Sequence, residues 1–418
     1  MDYLSTGNQP IPSYKEGVYA VLSRHINIHM TYEQMKEKIF TEVEKYRPEL
    51  VLQNDDIALH PELSGKEYET SKKHVALLQK HGYTTEYPFS GLDTAFRGIY
   101  GSNNHKYKIA LLAEYDALPE IGHACGHCLS GCISILAGLA MRDLQDVLNA
   151  DIHIIGTPDE ENNGSKCIMV RNGVFDQYDM AMMVHLHKNN TAMPQFQGLA
   201  SSLYEFHGKS AHASAAPWDG INALNGVQLM LHAVDMLRQH TRLDAQFHAV
   251  IRNGGLAPNI VPEAASLEIY VRAGDKKYLE KLIQLVDDCA KGAAIATQTT
   301  WSKTPTAETY VDLRSNPTGE SCLHEVFQEL NLPETPQALK LGSSDIGNVS
   351  YVCPAFHPGL RVVDGVALHT REFAEAMTTE RAHQALGDGA KLIALQIVKI
   401  FSGESKIQAM HRDFQRGL

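Results

Sequence analysis

The sequence has little of several features that mark specialised classes of protein. Only seven of its 418 residues are cysteines, and they lie scattered along the chain. An odd, small and scattered set of cysteines does not indicate a disulfide framework, so we expect a reducing location, the cytoplasm. No apolar run approaches the roughly 18 residues of a membrane span, and we expect no membrane partner. Residues 1–17 carry neither a basic start nor an apolar stretch, and we expect no export signal there.

Positive charge is also scarce. The chain has 37 Lys and Arg against 49 Asp and Glu, a formal net charge of -12, and no block of like charges. Because binding to phosphate backbones needs concentrated Lys and Arg, we expect no nucleic acid partner. Internal repeats and low-complexity tracts are lacking too. A chain of this length exceeds the usual limit of one core, which predicts two domains.

Histidine, by contrast, is abundant, and the chain has 21 of them. Two flank a cysteine in the segment Ile121–Cys128, which places one thiol and two imidazoles within five positions. Thiolate and imidazole suit zinc or a similar divalent metal far better than they suit a hydrophobic core. Gly126, between Cys125 and His127, gives the backbone freedom to turn both side chains toward one metal site.

Paired carboxylates follow about thirty residues later, in the segment Gly156–Glu161. Adjacent acids alone are typical of a solvated turn, but this pair comes directly after the apolar run Asp151–Gly156. A hydrolytic metal site uses carboxylates twice, as a ligand and as a proton carrier. The two motifs together predict a metallohydrolase.

Other interpretations of these residues exist. Cys125 could be a nucleophile flanked by His123 and His127, as in a cysteine hydrolase, although such an enzyme has no need of two adjacent glutamates. Cys125 and His127 could also be packed at a helix start. In the segment VHLH, His185 and His187 alternate and would share one face of a strand, so one of them is a candidate ligand. An isolated histidine such as His369 is more often structural.

The apolar periodicity predicts an alternation of strands and helices. The segments Lys108–Glu114, Asp151–Gly156 and Met180–His185 are typical of buried strands, Leu129–Leu148 of a helix, and Val349–Pro354 of a later strand. This is the pattern of an α/β protein. In such sheets the loops at the carboxyl ends of parallel strands hold ligands. The site is therefore expected to be assembled from separate loops.

The character of the chain changes near Gly198, where shorter strands and helices alternate up to about residue 293. We interpret this stretch as a compact α+β unit inserted into the first domain, to which the last hundred residues return. The predicted division is 1–197 and 311–418 for the two parts of the larger domain, and 198–310 for the insertion.

Many ordered motifs in this chain resemble those of one known family. They are His60–Leu63, Gly91–Arg97, Ala113–Pro119, the segment HACGH at 123–127, Gly156–Glu161, Ser210–Ser214, Ala257–Pro262 and Gly342–Asp345. The family is that of dinuclear-metal amidohydrolases and exopeptidases of the aminoacylase and carboxypeptidase type. The branch most similar contains aminobenzoyl-glutamate hydrolases, auxin-conjugate amidohydrolases and β-alanyl-lysine-type dipeptidases.

This resemblance implies a role for each matching residue. The implied metal ligands are Cys125, which would bridge two ions, and His127, Glu161, His185 and His369. Glu160 would be the general base that acts on a metal-activated water. Asp116 would orient a ligand. The implied cofactors are two divalent ions per subunit, with zinc favoured and manganese, cobalt or nickel left open.

The resemblance also implies that the insertion is a ferredoxin-like lid and dimerisation domain, and that the protein is a homodimer. His212 from the partner's lid would stabilise the tetrahedral oxyanion. Asn259 and Arg272 would hold the backbone or carboxylate of the substrate. The implied reaction is hydrolysis of the amide bond of a dipeptide or of an N-acyl, aminoacyl or aminobenzoyl amino acid.

Three residues depart from the family pattern. Cys128 stands where Asn or Asp is usual, His187 replaces a residue that is not normally a ligand, and Asp159 adds negative charge that should raise the pKa of Glu160. The alternative from another class is a non-catalytic relative that binds a small amide or peptide without turnover. A decayed site, however, should have lost at least one ligand.

Overall fold

The computed structural model describes residues 30–335 and 342–417. Its α-helices are α1 (Tyr32–Leu59), α2 (Tyr68–Lys80), α3 (His127–Met141), α4 (Gln145–Leu148), α5 (Ser165–Arg171), α6 (Ala223–Leu237), α7 (Lys276–Thr297), α8 (Pro317–Glu329), α9 (Ile346–Val349), α10 (Arg371–Ala376), α11 (Glu380–Phe401) and α12 (Glu404–Arg416). Its strands are β1 (Thr84–Glu86), β2 (Phe96–Ile99), β3 (Tyr107–Ala113), β4 (Ala150–Gly156), β5 (Met180–Met182), β6 (His185–His187), β7 (Gly198–His207), β8 (Gln246–Asn253), β9 (Ala264–Ala273), β10 (Thr300–Pro305), β11 (Ala355–Phe356) and β12 (Gly359–Arg361).

The larger sheet has six strands in the order β1-β2-β4-β3-β5-β11. Strands β4, β3, β5 and β11 run parallel to one another, whereas β1 and β2 pair antiparallel at one edge. The parallel strands β3 and β4 are apolar along nearly their whole length because both faces of the sheet are covered. The sheet is therefore mixed, as the fold class predicted.

Helix α3 is the centre of the larger core. All fifteen of its residues are buried, and it packs against α1, α11 and strand β3. Small residues make this close approach possible: a Cβ at Gly131 would lie 2.4 Å from the Glu114 carbonyl oxygen. This close packing holds the whole helix in place, including its first residue, His127, where the Cys/His motif ends.

The carboxyl ends of β3, β4 and β5 meet at one edge of this sheet, since the three strands are parallel neighbours. Strand β3 leads into Glu114–Pro119, β4 leads into Thr157–Glu161, and β5 is followed by β6. Strand β6 pairs in parallel with β12. The prediction that the motif loops lie at the carboxyl ends of parallel strands is confirmed.

The inserted unit has its own core and a four-stranded antiparallel sheet in the order β10-β7-β9-β8. Helices α6 and α7 pack on this sheet, and the chain order β-α-β-β-α-β is that of a ferredoxin-like fold. The predicted fold class, an α/β domain with an inserted smaller α+β domain, is confirmed. The domain boundaries at 197/198 and 310/311 stay a prediction.

Two elements differ from the sequence prediction. The predicted strand Val349–Pro354 is wrong: Val349 ends the one-turn helix α9, the next residues form turns, and only Ala355–Phe356 is a strand. Short apolar runs do not distinguish a buried helix from a strand by periodicity. The predicted helix Leu129–Leu148 is broken by a 3-10 turn at Arg142–Leu144.

Within the described residues, no helix combines the length and apolar character needed to cross a bilayer.

Candidate metal centre

The Cys/His motif turns sharply at Gly126, immediately before α3. Gly126 has φ of 78°, a left-handed conformation that favours glycine. A Cβ at this position would lie 2.9 Å from the Leu186 Cβ and 3.0 Å from the Met377 sulfur. Cys125 and His127 lie one residue on either side of Gly126, and the turn directs both side chains toward Glu161.

A first group of candidate ligands contains Cys125, His127 and Glu161. Their ligand atoms all lie within 4.8 Å of one another. His369 adds a fourth, because its Nε2 is 3.7 Å from Glu161 Oε1. The backbone of His369 has φ of 62°, and its N–H donates to the Ala124 carbonyl oxygen over 3.0 Å. This bond holds His369 beside the Cys/His motif.

A second group contains Glu114, His127 and His185, whose ligand atoms also lie within 4.8 Å of one another. The rings of His127 and His185 meet edge to face, with centroids 5.3 Å apart. His185 Nδ1 lies 2.8 Å from the Leu186 carbonyl oxygen, which accepts only, so the Nδ1 carries the proton. The Nε2 of His185 therefore presents a lone pair. The five predicted ligands thus meet in two adjoining groups.

Asp116 contacts both groups without belonging to either. Its Oδ1 lies 2.8 Å from His127 Nδ1, and its Oδ2 accepts hydrogen bonds from Ser64 Oγ and from the backbone N–H of Glu161. A carboxylate accepts only, so His127 carries a proton on Nδ1, and the neutral ring presents the lone pair of Nε2. This is the geometry that an orienting residue requires.

A buried ammonium lies behind the second group, and sequence reasoning missed it. Lys166 Nζ is 2.6 Å from Glu114 Oε1 and 2.6 Å from Asp345 Oδ1, and all three side chains are fully buried. Glu160 lies in the same cluster, with its carboxylate within 4.8 Å of those of Glu114 and Asp345. Glu114 and Asp345 lie in two of the recognised motifs, but nothing in the sequence around Lys166 connects it to them.

Burial and charge shift the pKa values of the site strongly. Burial and the adjacent Glu161 raise the pKa of the Cys125 thiol and of the Glu160 carboxyl well above their usual values. Burial lowers the pKa of His185 to about 3. Although burial opposes it, the neighbouring His127 holds the pKa of Asp116 well below its usual range. The anionic ligands therefore need a positive counter-charge, which a divalent cation supplies.

The three departures from the family pattern have distinct positions. Cys128, the second residue of α3, is fully buried in the hydrophobic core and belongs to neither group of candidate ligands. His187 lines the cavity described below. Asp159 accepts hydrogen bonds from Asn163. The prediction that Asp159 raises the pKa of Glu160 is not supported: after burial, the charges that raise it come from other carboxylates.

A cavity of about 280 Å³ opens onto the candidate ligands. Besides Cys125, Glu160, Glu161, His185 and His369, its walls contain His187, Thr191, Pro194, Phe196, His357 and Leu368, and the segment Gly342–Ser344. His357 was also missed by sequence reasoning. Its ring stacks on that of His185, with centroids 5.2 Å apart, and meets Phe196 edge to face at 5.0 Å.

The predicted residues of the inserted unit lie in two places. Arg272 Nη1 donates to Ser343 Oγ over 2.8 Å, so Arg272 contacts the cavity wall. His212 and Asn259 do not line this cavity. They are close to each other, because the Asn259 carbonyl oxygen accepts from the Ala213 N–H over 3.0 Å. Within one subunit, the structure brings Arg272 to the centre but not the other two.

Comparison with known proteins agrees with this architecture. Residues 196–297 match the family described as the M20-type peptidase dimerisation domain. An Xaa-Arg dipeptidase of Mus musculus is 31% identical over 341 residues, which cover 78% of this chain and 79% of the mouse protein. The chain belongs to the M20 peptidase family. This M20 protein is accordingly an enzyme of the metallopeptidase and amidohydrolase class.

Two further relatives extend the comparison. A p-aminobenzoyl-glutamate hydrolase subunit of Escherichia coli K12 is 26% identical to this M20 protein over 450 residues, covering 87% of the chain and 91% of the relative. A Bacillus subtilis protein described as a dinuclear metal binding peptidase of the M20 family shares the fold with a TM-score of 0.64 at 18% identity. That alignment covers 84% of this chain and 99% of the other.

The residues of this M20 protein fit a metal centre. Among the described residues, the buried atoms Glu114 Oε2 and His127 Nε2 have no hydrogen-bond partner. Buried polar atoms without partners are rare in native proteins and call for a ligand or ion. Thiolate, imidazole and carboxylate together form a donor set suited to zinc and to neighbouring divalent metals.

Proposed function

We propose that this protein is a metal-dependent amidohydrolase or exopeptidase that cleaves the amide bond of a dipeptide or of an N-acyl amino acid. One observation carries the proposal: four of the five expected ligands and the expected base line a single cavity, and the fifth ligand, His127, belongs to both ligand groups beside it, although the six residues come from four separate segments. The named activities of the dipeptidase and hydrolase relatives support this substrate class.

We assign the metal ligands as Cys125, His127, Glu161, His185 and His369, which would hold two divalent ions, with zinc favoured. Bound there, the ions would acidify a water molecule and polarise the scissile carbonyl. Asp116 keeps the His127 ring in the tautomer that a ligand needs. The raised pKa of the Cys125 thiol means that a cation is required for this side chain to act as a thiolate ligand.

Glu160 is the general base of the proposal. It lines the cavity, while its neighbour Glu161 lies among the ligands. Its carboxylate would take a proton from the attacking water and return that proton to the leaving nitrogen. Burial and the adjacent Glu161 raise the pKa of Glu160, which makes its carboxylate a stronger proton acceptor than that of a glutamate in water.

The proposed enzyme is a homodimer that uses the inserted unit as its lid. The dimerisation-domain match covers this unit, and the exposed apolar residues Val250, Ile251 and Tyr270 lie on its edge strand β8 and the adjacent β9. Such a surface is typical of an interface. His212 and Asn259, which do not line the cavity of their own subunit, would enter that of the partner. There His212 would stabilise the oxyanion, and Arg272 would bind a substrate carboxylate in its own subunit.

A reducing location, the cytoplasm, is part of the same proposal. All seven cysteines lie in the described residues, and none forms a disulfide. Cys125 is proposed as a ligand, and oxidation to a disulfide would remove it from the metal. The boundaries 1–197, 198–310 and 311–418 are likewise proposed as the units of the chain.

Hydrolysis of a substrate panel tests the proposal. The panel contains Xaa-Arg and other dipeptides, β-alanyl dipeptides, N-acyl amino acids and aminobenzoyl-glutamate, each assayed for free amine with zinc or manganese and again with a chelator. Cleavage that the chelator abolishes supports the metalloamidohydrolase. Cleavage that survives full metal removal contradicts it and favours a cysteine hydrolase. Lack of cleavage by protein with two bound ions favours a binding-only relative.

A further inference from the structure

We propose that Glu114 is a sixth protein ligand of the metal centre, shared with His127 and His185, and that Lys166 is a positioning residue that holds the Glu114 carboxylate. The inference rests on the proposed metal centre and adds to it. The assigned ligands of the motifs do not include Glu114, which directly follows strand β3, two residues before Asp116.

Two buried atoms, one from Glu114 and one from His127, face each other at the centre of this group. Glu114 Oε2 lies 3.3 Å from His127 Nε2, and both side chains are completely buried. Since His127 Nδ1 donates to Asp116, the neutral ring presents the lone pair of Nε2 to the carboxylate oxygen, which also carries lone pairs. Two such atoms repel unless something positive lies between them. Within the described residues, neither atom has a hydrogen-bond partner.

The separation of these atoms favours a cation over a proton. A charge-assisted N–H···O bond is about 2.7–2.9 Å long. Two ligands at about 2.1 Å from one tetrahedral zinc are about 3.4 Å apart. The observed 3.3 Å matches the second value. The ligand atom of His185 also lies within 4.8 Å of both, which completes three ligands from three segments.

Lys166 determines which oxygen of Glu114 is free to bind. Its ammonium contacts Glu114 Oε1 at 2.6 Å, which leaves Oε2 directed toward His127. Asp345 holds Lys166 twice, because Oδ1 contacts Nζ at 2.6 Å and Oδ2 accepts the Lys166 backbone N–H at 3.0 Å. The orientation of Glu114 is therefore fixed by a chain of contacts that ends at the start of α9.

A purely structural ion pair explains these contacts less well. Removing two charges from water is costly, and a buried pair on its own adds little to stability. A structural pair would be expected to satisfy both oxygens of Glu114, but among the described residues only Oε1 has a hydrogen-bond partner, while Oε2 faces His127 Nε2 at 3.3 Å. The ammonium instead offsets the mutual repulsion of Glu114, Glu160 and Asp345 beside the metal ligands.

The test is metal binding by Glu114→Gln, measured apart from activity. Apoprotein is titrated with Co²⁺, whose visible absorption reports each ion, and Zn²⁺ content is measured after competition with a chelator. The second ion is the one that Glu114, His127 and His185 would hold, and its affinity should fall at least about tenfold. The first ion, beside Cys125 and Glu161, should bind as in the unsubstituted protein. Two ions bound with unchanged affinity and unchanged Co²⁺ absorption would overturn the inference.

Two further variants protect the result against misfolding. Glu114→Gln/Lys166→Met/Asp345→Asn removes all three buried charges of this group, so it leaves neither an unpaired ammonium nor an unpaired carboxylate there, and it should lose the second ion to the same extent. Lys166→Met alone should lower the affinity for the second ion less than Glu114→Gln does. Glu67→Gln, a fully buried glutamate outside the candidate ligands, is the control and should bind both ions normally. Equal losses in this control would show a general effect of buried carboxylates and overturn the assignment.

The outcomes separate this inference from the proposed function. If the unsubstituted protein binds two ions but hydrolyses no member of the panel, the proposed function fails while the Glu114 result stands. If it hydrolyses a substrate and Glu114→Gln binds both ions normally, only the inference fails.

Discussion

Glu160 and Glu161 are adjacent in the chain, but their carboxylates lie in different clusters. The Glu160 carboxylate is within 4.8 Å of those of Glu114 and Asp345, whereas that of Glu161 is equally close to Cys125 and His127. The left-handed backbone of the preceding Asp159, with φ of 57°, forms part of this turn. One residue step thus separates a proposed base from a proposed ligand, which makes the two glutamates a matched pair for mutagenesis.

Glu160→Gln should retain both metal ions and lose turnover. The amide keeps the size of the side chain but cannot accept the proton, so kcat should fall at least about a hundredfold. Glu161→Gln is the matched comparison, and its first defect should be weaker metal binding. Metal content and kcat are measured on both. A Glu160→Gln enzyme with nearly normal kcat would remove this residue from the role of base.

Gly126→Ala should damage the metal centre from within the turn. The new methyl group would need a left-handed backbone, which costs about 1–2 kcal/mol for a residue with a Cβ. It would also lie 2.9 Å from the Leu186 Cβ. We expect a lower melting temperature and weaker metal binding. Gly292→Ala is the control, because a Cβ at Gly292 meets no atom within 4 Å. Equal behaviour of the two variants would contradict the importance of this turn.

His212→Ala should fold, bind metal normally and lose about 3 kcal/mol of transition-state stabilisation, which is a loss of about a hundredfold or more in kcat. Its position outside the cavity of its own subunit makes a stronger test possible. If the His212→Ala and Glu160→Gln subunits are mixed and exchanged, about half of the dimers are mixed, and one of their two sites has both groups.

Activity should therefore recover to about a quarter of that of the unsubstituted enzyme. The control mixes His212→Ala with the double variant His212→Ala/Glu160→Gln, in which no site receives both groups, and should recover nothing. Without recovery in the first mixture, once exchange of subunits has been verified, the shared site would be ruled out.

Arg272→Ala should raise KM more than it lowers kcat for substrates with a free carboxylate. The guanidinium is partly buried and reaches the cavity wall at Ser343. Arg272→Lys keeps the charge but loses the planar fork, so it should recover only part of the affinity. Substrates whose carboxylate is converted to an amide should be affected much less. A similar rise in KM for both substrate types would mean that Arg272 does not bind the carboxylate.

The sequence predicted the parts of the centre that lie in short motifs. Cys125 and His127 share one turn, and Glu160 and Glu161 share another, so spacing alone indicates that each pair belongs to one site. The cluster of Glu114, Lys166 and Asp345 could not be predicted in this way, because its members come from three distant segments. Their pairing depends on how α5 and α9 pack, and a lone lysine in an apolar segment carries no signal of a buried partner.

Glu67 connects folding stability to pH in a way that does not involve the metal ligands. Its carboxyl is fully buried and accepts hydrogen bonds from the backbone N–H groups of Gly65 and Asp159 and from Thr94 Oγ1. Burial and the nearby Asp116 carboxylate raise the pKa of Glu67 to about 7. The folded protein therefore binds this proton more tightly than the unfolded chain does.

The sign of the effect follows from that difference. Stability contributed by protonated Glu67 is fully present below the pKa of the unfolded chain, about 4.3, and is lost as pH rises to about 7. Glu67→Gln resembles the protonated form at every pH and keeps an oxygen for the two backbone N–H groups. Relative to the unsubstituted protein, its free energy of unfolding should therefore rise progressively between pH 5 and about 7, by roughly 4 kcal/mol at the plateau.

Urea denaturation at a series of pH values between about 4 and 8 measures this gain. The gain should be near zero at the acidic end, because Glu67 is then protonated in both states of the unsubstituted protein. The exposed Glu37→Gln serves as the control and should not change the pH profile. Parallel profiles for Glu67→Gln and the unsubstituted protein would mean that Glu67 is ionised in the folded state well below neutral pH, with its three hydrogen-bond donors outweighing the cost of burial.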